Sequence, residues 1–90
     1  MSYNYQTERK EIFTEEGQVL FLKIRDKARE CLRIAGAVMM EKLIYNNVGS
    51  SWTMMACVDR LVELKELREI TPSNCIGQYR VFADYNWGNR

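Results

Sequence analysis

The side chains available for chemistry are few. The chain has no histidine, so the commonest general base and the commonest zinc ligand are both missing. Three cysteines, Cys31, Cys57 and Cys75, stand far apart, and none has metal-ligand or C-x-x-C spacing. They read as reduced thiols, two of them small buried apolar groups; the other reading is a reactive or metal-binding thiol. The acidic pairs Glu15/Glu16 and Glu66/Glu69 look like cap and surface charge rather than a general acid–base pair. The chain contains no nucleophile elbow, no phosphate-cradling glycine loop and no zinc pattern. The expectation is a protein with no enzymatic activity, no metal and no other cofactor.

What remains is binding. Lys plus Arg total 13 against 12 Asp plus Glu, a net charge of +1. That balance argues against nonspecific coating of nucleic acid, which depends on many cations meeting phosphates. The charge is uneven along the chain. Between Lys23 and Arg33, the cations Lys23, Arg25, Lys27, Arg29 and Arg33 face only Asp26 and Glu30. Across residues 59–69, Arg60, Lys65 and Arg68 are outnumbered by Asp59, Glu63, Glu66 and Glu69. The basic stretch is either a solvated helix face laced with short-range pairs or a phosphate-facing patch. Trp52 has two readings of its own: stacking on a base or plugging into a partner, or folding back as an edge of the core. Met39, Met40, Met54 and Met55 either fill the core or form an adaptable binding surface.

These residues need elements to hold them. Ninety residues at 47% hydrophobic composition make one folded domain rather than a disordered chain. Its parts read as an N-terminal extension over 1–13, a core over 14–84 and a tail over 85–90. Residues 1–11 are polar and do not form a signal peptide, and no apolar run reaches the ~18 residues that span a bilayer. The expected setting is cytoplasmic, with no membrane partner. Thr14 caps a first helix, with Glu15 and Glu16 in its first turn. Leu20, Phe21, Ile24, Ala28, Cys31, Leu32 and Ala35 recur at helical spacing, and Gly36 ends the run. Ala37 and Val38 can be extended, and Met40, Leu43 and Ile44 mark a short second helix. A turn over 46–49 precedes Ser50 or Ser51 as the cap of a third helix over Trp52–Leu64. On that helix Met54, Met55, Cys57, Val58, Leu61, Val62 and Leu64 form the core half. Trp52, Thr53, Ala56, Asp59, Arg60 and Glu63 form the outward half. Two alternating runs, Leu67–Thr71 and Gln78–Ala83, flank a Pro/Ser/Asn/Gly turn and read as a β-hairpin.

This order is α+β, three helices followed by a C-terminal β-hairpin, and it resembles the small winged helix-turn-helix domain of many DNA-binding regulators. The run from Thr53 to Ile70 is similar to that family's third helix leading into the first wing strand, and the likeness extends over residues ~14–84. The resemblance implies a third helix lying in the major groove and a wing on phosphate or the minor groove. It implies a sequence-specific transcriptional regulator of double-stranded DNA. One small domain buries little DNA, so a homodimer reading two half-sites is expected. The contact residues it marks are Ser50, Ser51, Trp52, Thr53, Met55, Ala56 and Arg60 on the helix, and Ser73, Asn74, Gln78 and Arg80 on the wing. The hydroxyls and the helix-start amides would meet phosphate. Val19 and Leu22, with Tyr3, Tyr5, Tyr85 and Trp87, are the candidate dimer seam.

The departures from the family pattern support a second reading. Met55 and Ala56 stand where DNA readers often carry Ser, Arg, Asn or Gln, and neither can make a bidentate base contact. Lys65 stands where the family usually has Gly, which carries a backbone cost if the position is left-handed. The alternative is a winged-helix module that binds protein and not DNA.

Overall fold

The computed structural model describes residues 3–45, 47, 49–72, 74–75 and 77–86. It is an α+β fold built on two long helices and a three-stranded antiparallel sheet. A short helix α1 (Tyr5–Glu8) runs into a 3-10 turn (Arg9–Phe13). Then follow α2 (Glu15–Ala35), β1 (Ala37–Met39), α3 (Met40–Ile44), α4 (Ser51–Glu63), β2 (Leu67–Glu69) and β3 (Val81–Asp84).

Local chemistry sets the ends of the long helices. The Thr14 hydroxyl accepts the Gly17 amide at 3.0 Å, closing the first turn of α2. Gly36 ends α2 in the left-handed region, at φ 81°, and its amide donates to the Leu32 carbonyl. Ser50 starts α4 through its backbone: its carbonyl accepts from the Met54 amide at 3.1 Å, and its side chain makes no cap bond. The end of α4 is a Schellman turn. The Lys65 amide bonds the Val62 carbonyl at 3.0 Å, and the Glu66 amide bonds the Leu61 carbonyl at 2.9 Å. Lys65 sits at φ 63°, the one non-glycine residue with positive φ among the described residues.

The sheet order is β1-β3-β2. Val38 stands opposite Phe82, and Arg68 opposite Ala83. The extended piece at 37–38 is therefore a full third strand, paired to the hairpin rather than isolated. The hairpin strands are shorter than the alternation predicts. Residues 77–79 form a 3-10 turn packed on α3, so Gln78 and Tyr79 leave the strand, although the Ile70 amide still bonds the Val81 carbonyl at 2.9 Å. The described end of the β2–β3 connection, residues 77–79, thus lies on the body.

Phe82, Ile12, Ile24, Met40, Leu43, Leu61, Leu67 and Val58 fill the core, with Cys57 among them. Two expectations are corrected. Leu64, counted with the core half of its helix, is 44% exposed because the Schellman turn carries it to the rim. Ile12, assigned to an extension, is 1% exposed and belongs to the core. Of the four methionines around the turn, Met40, Met54 and Met55 are buried and Met39 is exposed. No helix among the described residues is long and apolar enough to cross a membrane.

Candidate functional site: the faces of α4

Five successive residues of α4, Met54–Val58, are buried. A helix with one solvated face cannot do that, since successive residues turn by ~100°. Something covers the side facing away from the sheet, and it is the N-terminal segment. Ala56, expected outward, is fully buried, and Met55 is 9% exposed. Both are core residues and neither presents a reading surface. The exposed residues of α4 are at its two ends, Ser51 at the start and Glu63 at the finish. Ser50 and Ser51 are exposed, and Thr53 is half-buried. Ser50 and Thr53 line, with Gly49, Glu11 and Glu16, a shallow cleft of about 320 Å³. Trp52 is half-buried and packs against the core, the second of its two readings.

The covering segment is held by three sets of contacts. At the surface, α1 lies against the outward acids of α4. The Tyr3 hydroxyl donates to Asp59 Oδ2 at 2.6 Å and the Tyr5 hydroxyl to Glu63 Oε1 at 3.0 Å. Arg9 donates to the same Glu63 oxygen through Nε at 3.3 Å and Nη2 at 3.2 Å. Beside them the exposed Phe13 ring lies near two guanidiniums, Arg9 at 5.2 Å and Arg60 at 5.3 Å from its centroid. Deepest, Ile12 enters the core and the backbone at Glu11–Ile12 presses on Gly17. A Cβ on Gly17 would stand 1.9 Å from the Glu11 carbonyl oxygen. That glycine weakens a helix turn in isolation, but it is what lets the two backbones meet.

The second hold on α4 comes from the hairpin. The Arg80 guanidinium reaches Asp59 at 2.7 and 3.2 Å and Glu69 at 2.8 and 3.0 Å. It also lies 5.2 Å from the centroid of the Phe82 ring. Thr71 donates to Glu69 at 2.8 Å and accepts the Val81 amide at 3.3 Å. Arg80, a candidate phosphate contact, has a side chain only 14% exposed and already carries two carboxylates. Arg60, the other candidate cation, pairs with Glu63. Asn74 and Gln78 are exposed on the loop, and Ser73 lies outside the described residues.

The electrostatics follow from this packing. Burial raises the Tyr3 hydroxyl pKa above its ordinary value, and the Asp59 carboxylate adds to the shift by accepting its proton. Burial and the bond to Glu63 do the same for Tyr5, more weakly. The bond from Arg60, helped by those from Tyr5 and Arg9, outweighs desolvation and lowers Glu63. At Glu69 desolvation works upward, and bonds from Arg80 and Thr71 outweigh it, so the net shift is down. Burial alone pushes the Cys57 thiol up to about 12, which leaves it an inert apolar group at neutral pH. Cys31 and Cys75 are half-buried free thiols. Among the described residues no group of three or more His, Cys, Asp or Glu side chains is placed to hold a metal ion.

The basic stretch of α2 is a set of pairs. Arg25 meets Asp26, Arg29 meets Glu66 and Arg33 meets Glu30. Lys27 donates to the Tyr45 carbonyl and lies 6.0 Å from that ring's centroid. Val19 and Leu22 are exposed as expected, but the six-residue seam is not one patch. Tyr3 and Tyr5 are bound to α4. Tyr85 lines a groove with Arg33 and Gly36 at the far end of α2, about 24 Å from Val19 at the helical rise of ~1.5 Å per residue. Trp87 lies outside the described residues.

Sequence inspection missed Tyr3, Tyr5, Arg9, Ile12 and Phe13 as partners of α4. The available signal was the density of aromatic and aliphatic residues in a stretch otherwise polar, higher than an unpacked arm needs. No protein-family model, curated protein or solved structure matches the chain.

Proposed function

We propose that this chain is a winged-helix domain adapted to bind protein rather than DNA. The winged-helix part rests on the element order, helix–strand–helix–helix–hairpin, and on a sheet in which the first strand pairs with the last. The protein-binding part rests on one observation: the side of α4 that a groove reader must present is internal. Met55 and Ala56 are buried there, and its acids Asp59 and Glu63 are held by residues of this chain. Inserting this helix into a major groove would first require removing residues 3–13. It would then bring two carboxylates toward phosphate, which is unfavourable. The cations closest to that side, Arg60 and Arg80, are committed to carboxylates.

The DNA-regulator reading keeps one supporting observation. Ser50 and Ser51 at the start of α4, and Asn74 and Gln78 on the hairpin loop, are exposed. Polar groups at those two places can approach a backbone without the helix entering a groove.

The deciding experiment is fluorescence anisotropy with mixed-sequence duplex DNA at about 50 and 200 mM salt. No binding at low micromolar protein, or binding indifferent to salt, is the expected outcome. Sub-micromolar binding that weakens steeply with salt overturns the protein-binding reading and restores a DNA regulator acting as a homodimer.

A further inference from the structure

We propose that residues 3–9 occupy, within the chain, the docking face of its protein partner, and that the partner presents a short helix carrying tyrosine and arginine. This rests on the protein-binding reading above and adds the chemistry of the partner.

The face is defined by two carboxylates one turn apart on α4, Asp59 and Glu63, which lie on the same side of the helix. What the chain itself places on them is two phenol hydroxyls and a guanidinium, from Tyr3, Tyr5 and Arg9. Phenols and guanidiniums are the groups most enriched where one protein anchors on another. The segment therefore displays, in cis, the donor set that these two carboxylates accept from.

The same segment is built to leave. Helix α1 has four residues and none of them is buried. A helix of that length has no stability of its own in water. Its grip on Glu63 is through exposed hydrogen bonds, each of small net value. Tyr3 and Tyr5 pack against the edge of the core while staying only half-buried, and the first fully buried side chain of the segment is Ile12, beside the Gly17 crossing. Opening thus divides the segment between Arg9 and Ile12, with the outer part free to peel while the core stays closed.

The acids also tolerate the opening. When Tyr3 leaves, Asp59 keeps both contacts to Arg80; when Tyr5 and Arg9 leave, Glu63 keeps Arg60. No carboxylate is stranded without a cation, so the strap can be exchanged for a partner without exposing an uncompensated charge. A partner helix longer than four residues would repeat the same bonds and bring its own intrahelical stability, which α1 lacks.

The test uses the full chain with Tyr3→Ala and Tyr5→Ala, which loosens the strap but leaves Ile12 and Gly17 in place. A synthetic peptide with the sequence of residues 3–11 is titrated into it and followed by amide NMR. Saturable shifts at residues 59–63 are expected. The unaltered chain should bind about tenfold more weakly because its own strap competes at high effective concentration. Adding Asp59→Asn and Glu63→Gln should abolish binding. Absence of shifts on α4, equal binding by the unaltered chain, or binding that survives loss of both acids overturns the proposal.

A second measurement needs no variant. Amide hydrogen exchange at Thr7 and Glu8 should be at least about 100-fold faster than at Val58 and Leu61. Equal protection means the strap opens only when the protein unfolds, and overturns the proposal. A concentration-dependent dimer that the peptide dissolves hands the face to a second copy of the chain, which overturns the partner class. Salt-sensitive duplex binding strikes at the protein-binding reading itself. A failed peptide titration with no duplex binding strikes only at this inference.

Discussion

Helices α2 and α4 look alike as sequences and differ as surfaces. Both carry an apolar half and a polar half at helical spacing. In α2 the polar half stays in water: Val19, Leu22 and Ile34 are exposed beside Arg–carboxylate pairs. In α4 the polar half is partly covered, and its acids become attachment points for residues more than fifty positions away. An amphipathic pattern identifies the face that must be buried. It does not say that the other face is free, because covering a polar face needs only a few matched donors and acceptors from elsewhere.

That contrast can be broken by mutation, and the largest effect belongs to the covered side. Ile12→Ala should destabilise by about 3 kcal/mol in urea unfolding, whereas Val19→Ala on the open face of α2 should stay within about 0.5 kcal/mol. If the two cost the same, residues 3–13 do not share the core. Gly17→Ala is the next test. In an ordinary helix this change stabilises by roughly 1 kcal/mol, but here the added Cβ meets the Glu11 carbonyl, and a loss of about 2 kcal/mol is expected. A gain would mean that the crossing is not tight.

Tyr3→Phe should cost about 1–2 kcal/mol at neutral pH, since it deletes a bond to a charged acceptor. It also carries a pH signature. The folded pKa of Tyr3 lies above its ordinary value of 10.0, so its contribution is complete below pH 10 and is lost as pH rises beyond it. Unfolding measured at pH 8 and pH 11 should show the wild-type advantage over Tyr3→Phe shrinking at the higher pH. At the acid end the sign reverses. Glu69 is lowered below its ordinary 4.5, so its support is present above that value and fades as pH falls through the folded pKa. Glu69→Gln should therefore flatten stability below about pH 4.5 relative to the unaltered chain.

The smallest effects sharpen the comparison at helix ends and on the open face. Lys65→Gly should stabilise by about 0.5–1 kcal/mol in thermal unfolding, because the position is left-handed. Arg33→Ala on α2 should change stability by less than about 0.5 kcal/mol, since its pair with Glu30 is exposed.

Much of the fold was legible where its causes are local. Thr14 and Gly36 mark the ends of α2 because capping and left-handed termination depend on a few neighbouring residues. The unusual backbone at Lys65 was legible only through the family resemblance, whose pattern usually has Gly at that position. Cys57 and Met54 followed from helical periodicity. The site was less legible. Arg80 reads equally well as a phosphate contact and as a structural ion pair, and only the position of Asp59 and Glu69 around it decides. Ala56 reads as outward on a wheel, yet the packing of other elements around α4 leaves it fully buried.

By itself, then, the sequence determined helices α2, α3 and α4, the two ends of α2 and most of the faces that seek the core, since these follow from spacing and from the conformational preferences of single residues. The tertiary structure decided what the remaining faces meet. It joined β1 to β3, set residues 77–79 against α3 and laid Tyr3, Tyr5 and Arg9 on the acids of α4. Those contacts join residues far apart in the chain through complementary charge and shape, and no periodicity within one segment encodes them.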